Sequence, residues 1–267
     1  MDNFITACKE GNLELVKNLI KNTNLDVNKK DNVGNTGFHL ACLYGDLIIV
    51  EFCIKNTNLD VNIQNKYGYT GFHLACRYGR LAIVEFCIKN TNININIQDN
   101  FGNTGFHNAC MNKNLAIVEF CIKNTNLNVN IQNNNGETAF HNACWSCLAH
   151  WSGYLAIVDF CIKNARLNLN IQSNDGWSAF HYACYNGNIS VISLFLNSNR
   201  KINLNIKSIK IFNGYPIGTS GYDILKSKNI NIDIIKEKIS KNKQLIFYAA
   251  DGNLLELKNL LKFKKLI

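Results

Sequence analysis

The tetrapeptide Thr36-Gly-Phe-His39 returns as Thr70-Gly-Phe-His73, Thr104-Gly-Phe-His107 and Thr138-Ala-Phe-His141, each 34 residues after the last. A fifth copy, Ser178-Ala-Phe-His181, follows after 40 residues. The surroundings repeat as well. A Gly stands two residues before each Thr or Ser, His-x-Ala-Cys follows, and after a short polar break comes Ile-Val-(Glu/Asp)-Phe-Cys-Ile-Lys-Asn. The fifth copy is looser there, reading Ser190-Val-Ile-Ser-Leu-Phe-Leu196. A chain that copies itself at this interval copies one supersecondary unit, which restricts it to architectures in which such units stack.

The shape of one unit follows from its residue types. Thr36 is a favoured helix N-cap, and Phe38, Ala41 and Cys42 follow at helical spacing, giving a short first helix. Gly45 breaks it, as Gly79 and Gly187 do in their units. A second helix from Leu47 to about Lys55 is apolar nearly all round its middle, so burial between neighbours is expected. Asn56-Thr-Asn58 stops it, because Asn tolerates a left-handed cap and competes for backbone hydrogen bonds. Leu59 to Gln64 then alternates apolar and polar residues, the period of an extended segment, and a turn through Gly68 reaches the next Thr. None of these pieces buries its apolar face alone.

The pattern resembles the ankyrin repeat, whose usual core reads T-P-L-H-x-A-A, then G, then I-V-x-x-L-L and D-V-N. The resemblance implies an all-α ankyrin-repeat solenoid of helix–turn–helix units with β-hairpin-like fingers. Residues 1–30 fit an amino-terminal capping repeat, with Ala7-Cys8-Lys-Glu-Gly11 and Leu25-Asp-Val-Asn28. Five full repeats are expected at 31–64, 65–98, 99–132, 133–172 and 173–207. A degenerate repeat with an enlarged finger follows at 208–241, and a capping half-repeat at 242–267. The usual Pro after Thr is replaced by Gly37, Gly71, Gly105, Ala139 and Ala179. Pro at the first helical position is pre-organised and Gly is not, so a softer scaffold than a consensus array is expected. The near-identical copies and Asn/Ile/Lys-rich style resemble the ankyrin expansions of large DNA viruses of amoebae.

Eleven cysteines raise the question of disulfides. Cys42, Cys76, Cys110, Cys144 and Cys184 each follow an Ala, while Cys53, Cys87, Cys121 and Cys161 each sit in Phe-Cys-Ile. Thiols that recur with the repeat are small buried side chains at equivalent packing sites, which implies a reducing compartment. No apolar run is long enough for a transmembrane helix, and the first residues lack a basic segment followed by an apolar one. A cytoplasmic, non-secreted location is therefore expected.

The five repeat histidines lie one per unit, about 10 Å apart if the helices pack normally, too far to share a metal ion. The resemblance implies that each hydrogen-bonds locally and ties adjacent units together. Between Cys144 and Leu155 the fourth repeat is enlarged, and Cys144, Cys147 and His150 form a C-x-x-C-x-x-H string. A tetrahedral zinc site wants a fourth ligand, and none is apparent. Glu51, Glu85, Glu119 and Asp159 recur singly, as solvated positions on second helices. No phosphate loop, nucleophile elbow or carboxylate pair stands out, so no enzyme, cofactor or metal is expected.

By the resemblance, recognition belongs to finger tips and the exposed part of first helices. Those positions vary while the frame stays fixed. They are Val33, Asn35, Leu43 and Tyr44, then Lys66, Tyr67, Tyr69, Arg77 and Tyr78. Phe101, Asn103, Met111 and Asn112 follow, then Glu137 and Trp145, and finally Trp177, Tyr182 and Tyr185. Tyr, Trp, Met and Arg are enriched at interface cores. A protein-binding groove centred on Tyr67, Tyr69, Tyr78 and Phe101 is expected, in a monomer whose partner is another protein.

The formal charge of +9 is uneven, since 14 of the 28 basic residues but only 5 of the 19 acidic ones lie from Arg200 onward. That end suggests an alternative, contact with nucleic acid or another polyanion. A terminal capping repeat also needs a polar outer face, which Lys supplies. Nucleic acid is accordingly the secondary expectation.

Overall fold

The structure, a computed structural model, describes residues 3–22, 25–146, 152–164, 166–237 and 239–240. Among them lie thirteen α-helices of seven residues or more. The first pair is α1 (Asn3–Glu10) and α2 (Leu13–Asn22). Next come α3 (Gly37–Tyr44) with α4 (Leu47–Asn56), and α5 (Gly71–Arg77) with α6 (Leu81–Asn90). These are followed by α7 (Gly105–Met111) with α8 (Leu115–Asn124), and α9 (Ala139–Ser146) with α10 (Ser152–Lys163). The last are α11 (Ala179–Asn186) with α12 (Ile189–Asn197), and α13 (Gly221–Ser227), after which residues 232–237 are again helical.

Each first helix begins as its sequence requires. The Thr36 hydroxyl accepts from the His39 backbone N–H at 3.4 Å, and the Thr36 N–H donates to His39 Nδ1 at 3.2 Å. Two backbone donors that the helix leaves open are thus satisfied reciprocally, with His in the place usually held by Glu or Gln. Thr70, Thr104 and Ser178 repeat the arrangement, and at Ser220 the partner is Asp223. Gly45 closes α3 in the left-handed region at φ 93. The third full unit puts Lys113 at the equivalent position with φ 63, without a glycine.

The second helices stop differently from the sequence expectation. Thr57 is extended at φ −141, not left-handed. Side chains cap the helix instead: Asn56 Nδ2 donates to the Phe52 carbonyl at 2.8 Å and the Thr57 hydroxyl to the Cys53 carbonyl at 2.7 Å. The second helices are also less enclosed than their apolar content suggests. In α4 only Ile49, Val50 and Cys53 are buried, and Ile48 is 68% exposed.

The fingers are built from turns more than from strand pairing. Among the described residues β-pairing is confined to the isolated bridges Gln132–Thr138, Lys207–Ser220 and Phe212–Tyr215. Asn65 shapes one finger by accepting from the Tyr67 and Tyr69 N–H groups at 2.9 and 3.0 Å. The backbone groups left over pair with neighbouring fingers, Lys66 N–H with the Val33 carbonyl and Asn100 N–H with the Tyr67 carbonyl. A finger is therefore held by its neighbours.

The first helices pack in a row, α1 on α3, α3 on α5, and so on to α11 on α13, and the second helices form a parallel, looser row. Phe38, Phe72, Phe106, Phe140 and Phe180 are all buried between the rows. The residue after each cap Thr meets the preceding phenylalanine. A Cβ on Gly71 would stand 2.4 Å from Phe38 Cε1, so Gly there permits a close approach that any larger residue obstructs. The ten described cysteines are buried and none is in a disulfide. Burial pushes the Cys87 thiol up to about 12. No described helix is long and apolar enough to cross a membrane.

Candidate functional site

Residues that every unit shares are occupied in joining units. The Nε2 atoms of His39, His73, His107 and His141 reach the carbonyls of Tyr69, Asn103, Glu137 and Ile171, at 2.9 to 3.2 Å. Gln64 Nε2 donates to its own Gly68 carbonyl at 2.7 Å and to the Gln98 carbonyl of the next unit at 3.0 Å. Gln98, Gln132 and Gln172 continue the series. Two residues before Gln64, Asn62 Oδ1 accepts from the Asn94 N–H at 2.8 Å. These side chains are spent on the stack. Burial lowers the basicity of His39, His73, His107 and His141 to about 4, so they stay neutral near pH 7. Among the described residues no cluster of His, Cys, Asp or Glu is arranged to hold a metal ion. Cys144 is buried, while Cys147 and His150 lie outside the described residues.

The side chains that differ between units converge elsewhere. An open groove of about 620 Å³ runs between fingers and first helices, with Tyr69 and Arg77 at one end and Trp145, Tyr182 and Phe212 at the other. Phe101, Met111 and several asparagines line the stretch between. At the first end Arg77 Nη1 donates to the Tyr69 hydroxyl at 3.0 Å, and the guanidinium carbon stands 5.9 Å from the Tyr69 ring centre. Near it the buried Asp99 carboxyl accepts from the Phe101 N–H at 2.8 Å and the Asn103 N–H at 2.9 Å through Oδ1. Its Oδ2 has no partner, and burial raises its pKa against the opposing pull of Arg77. At the other end Glu137 Oε1 accepts from the Tyr182 hydroxyl at 2.8 Å. Burial and this carboxylate push the Tyr182 hydroxyl well up.

Of the side chains singled out from the sequence, Tyr69, Arg77, Phe101, Met111 and Trp145 line the groove. Tyr44, Tyr67 and Tyr78 are about half-exposed but outside it, as is the exposed Lys66, so the groove lies further along the stack than expected. Tyr185 supports it from the side, its ring stacked on Trp145 at 5.6 Å and 16°. Trp177 is a correction: it is fully buried, belongs to an aromatic cluster and lies outside the groove. Tyr182, 2% exposed, joins that cluster while lining the far end of the groove. The reason is the enlarged finger at 208–219, which folds back and sets Phe212 at 4.4 Å from Trp177. Its Tyr215 stands 6.3 Å from the same ring.

Among the lining residues that the sequence reading did not single out are Asn108, Asn142 and Phe212. A signal for the first two existed. The residue between His and Ala is Leu40 and Leu74 in two units and turns to Asn108 and Asn142 in the next two.

The basic end is partly neutralised where it is described. Lys207 pairs with Asp223 at 3.0 Å and Lys210 with Asp175 at 3.5 Å. Lys228 and Lys236 lie over the Tyr185 and Tyr222 rings at 5.4 and 5.9 Å. The lysines at 238 and from 241 onward lie outside the described residues.

Comparison with known proteins agrees with this architecture. A family model described as ankyrin repeats in three copies matches residues 4–99. Two described as ankyrin repeats in many copies match residues 88–143 and 145–196. No curated protein matches the sequence. Among solved structures the chain is similar to one described as the crystal structure of EF0377, an ankyrin repeat protein. That match has a TM-score of 0.68 and 22% identity over 74% of this chain and 98% of the other. At that identity the likeness concerns the fold alone. The repeat sentence, the paired helices joined by His, Gln and Asn ladders, and these matches place the chain in the ankyrin-repeat family.

Proposed function

We propose that the chain is a non-enzymatic protein–protein interaction scaffold that presents the groove between its fingers and first helices to another protein. Ankyrin repeats generally mediate protein–protein interaction. The observation that carries the proposal is a division of labour. Side chains constant across units are buried or tied into ladders, whereas Tyr69, Arg77, Phe101, Met111 and Trp145, which change from unit to unit, share one open surface. Large aromatic side chains, Met and Arg at the centre of such a surface are the types that dominate binding energy. In this reading the chain acts as a monomer, and its buried thiols suit a reducing compartment such as the cytoplasm. The composition resembles amoebal-virus ankyrin expansions, which makes a host-cell protein a natural partner. Contact of the basic end with a polyanion is the lesser reading, because several of its described lysines are already engaged.

Affinity capture with the full chain, compared with an Arg77→Ala, Trp145→Ala double variant, tests the scaffold role. The proteins retained by the wild type are expected to be lost from the variant, which melts lower for want of the Trp145 ring contacts but keeps the helical circular dichroism of the folded chain at the capture temperature. Retention of the same set by both would remove the groove from the binding surface.

A further inference from the structure

The groove holds a donor that the fold leaves unused. Asn108 is 3% exposed, lines the groove, and its Nδ2 has no hydrogen-bond acceptor. A buried amide without an acceptor costs roughly 1–3 kcal/mol, and Leu40 and Leu74 at the equivalent places avoid that cost. A polar group kept there at a loss points to an acceptor supplied from outside.

Charge narrows the choice. Arg77 is the single basic residue and Glu137 the single acidic residue among those lining the groove. The Arg77 guanidinium uses one N–H on the Tyr69 hydroxyl, and although it pulls on the buried Asp99 carboxyl, the two form no ion pair among the described residues. An acidic group is therefore welcome at the Arg77 end. The same group is repelled at the far end by Glu137. A nucleic-acid strand, charged all along its length, suits neither Glu137 nor a groove with one cation.

Length follows from the stack. Arg77 ends α5, Asn108 lies on α7 and Trp145 on α9, so the three mark consecutive steps of the first-helix row. Packed helices are about 8–10 Å apart, so Arg77 and Trp145 are roughly 20 Å apart along the row. An extended chain covers that span in about six residues at ~3.3 Å each. The exposed Trp145 ring, already stacked on Tyr185, offers a platform at the end of that path.

Resting on the scaffold role above, we propose that the groove takes an extended peptide segment with an acidic side chain for Arg77 and a large apolar or aromatic side chain for Trp145. The two are about six positions apart, and a main-chain carbonyl between them accepts from Asn108 Nδ2, an atom buried in this structure that must turn outward to meet it.

A random-peptide display selection against the full chain, followed by fluorescence anisotropy with the enriched peptides, tests this. The enriched sequences are expected to pair an acid with an aromatic or large aliphatic residue at that separation. Arg77→Glu and Asn108→Leu should each weaken binding about tenfold or more, Asn108→Leu with a melting temperature at or above wild type and Arg77→Glu with the circular dichroism of the folded chain. If Arg77→Glu lowers stability, Arg77→Gln serves, and a fresh selection on it should no longer favour acids. Peptides that lack an acid, ignore Arg77→Gln, yet fail on Trp145→Ala would overturn the acidic-peptide inference and leave the groove as the docking site. Peptides that bind every groove variant like wild type would overturn both. The absence of any enriched peptide, or tight groove binding of an oligouridylate probe lost in Trp145→Ala, would also overturn the inference.

Discussion

His107 bridges two units through opposite sides of one ring. Its Nδ1 accepts from the Thr104 backbone N–H at 3.2 Å, and its Nε2 lies 3.2 Å from the Glu137 carbonyl oxygen of the next unit. Because a backbone N–H can only donate, Nδ1 must be the unprotonated nitrogen, and the proton sits on Nε2, where the carbonyl accepts it. Protonating Nδ1 sets it against the Thr104 N–H, so the joint works only while the imidazole is neutral. His39 and His73 make the same pair of bonds, and His141 differs only in reaching the Ile171 carbonyl at the end of its own repeat.

Stability should therefore fall steeply in mild acid. Burial lowers the folded-state pKa of these four histidines from about 6.5 to about 4, so the unfolded chain binds more protons in that interval. Their contribution is complete above pH 6.5 and is lost as pH falls toward 4. By pH 5 the loss is about 2 kcal/mol per histidine. Urea midpoints across pH 7 to 4.5 measure it. His107→Gln should flatten the slope by about one proton, and a midpoint constant down to pH 5 would rule out the neutral-joint account.

Gly71→Ala reverses the usual sign of its substitution. Helix propensity alone favours Ala by about 1 kcal/mol. The new methyl carbon meets Phe38 Cε1 at 2.4 Å, so the Phe38 ring or the helix must shift, and a net loss of about 1–3 kcal/mol is expected. Differential scanning calorimetry reads the change, and a raised melting temperature would show that the row of first helices is looser than its contacts imply.

Arg166 is a clamp between units. Its guanidinium donates to the Ile122 and Thr125 carbonyls at 2.8 and 2.9 Å, and also to the Leu127 carbonyl, all in the preceding unit. Arg200 does the same to Asn164 and Leu167. Arg166→Ala should cost about 1–3 kcal/mol, and Arg166→Lys should restore little, because a single ammonium cannot reproduce the planar fork. Equal melting of Arg166→Ala and an exposed-site control such as Lys66→Ala would leave the clamp without energetic weight.

Asn108→Leu should stabilise the chain by about 1–2 kcal/mol, since it removes an unpartnered buried amide and restores the residue found at positions 40 and 74. Chemical denaturation checks it. A destabilised variant would mean that Asn108 already has a partner within the fold.

The frame was legible because each unit repeats the same physical instructions. Thr36 marks a helix start, Phe38 and Cys42 a buried face, and Gly45 a stop, and the fold places each of them so. The surface was legible only in part. Variation along the repeat marks residues released from the frame, which is why Arg77, Phe101 and Trp145 were found. It does not say whether a released side chain faces water or an insertion elsewhere. Trp177 is misplaced for that reason, because Phe212 covers it from an enlarged finger with no counterpart in other units. The Arg166 and Arg200 clamps were invisible too, since they stand where other units carry Asn and act over about 40 residues of chain.

Amide hydrogen exchange of the full chain, with and without its captured partner or a selected peptide, tests the division between frame and groove most directly. The account predicts added protection at the finger tips and first-helix ends around Tyr69, Phe101, Met111 and Trp145, with little change on the outer face of the second helices around Ile48. Protection confined to that outer face, or to the basic residues beyond Arg200, would contradict it.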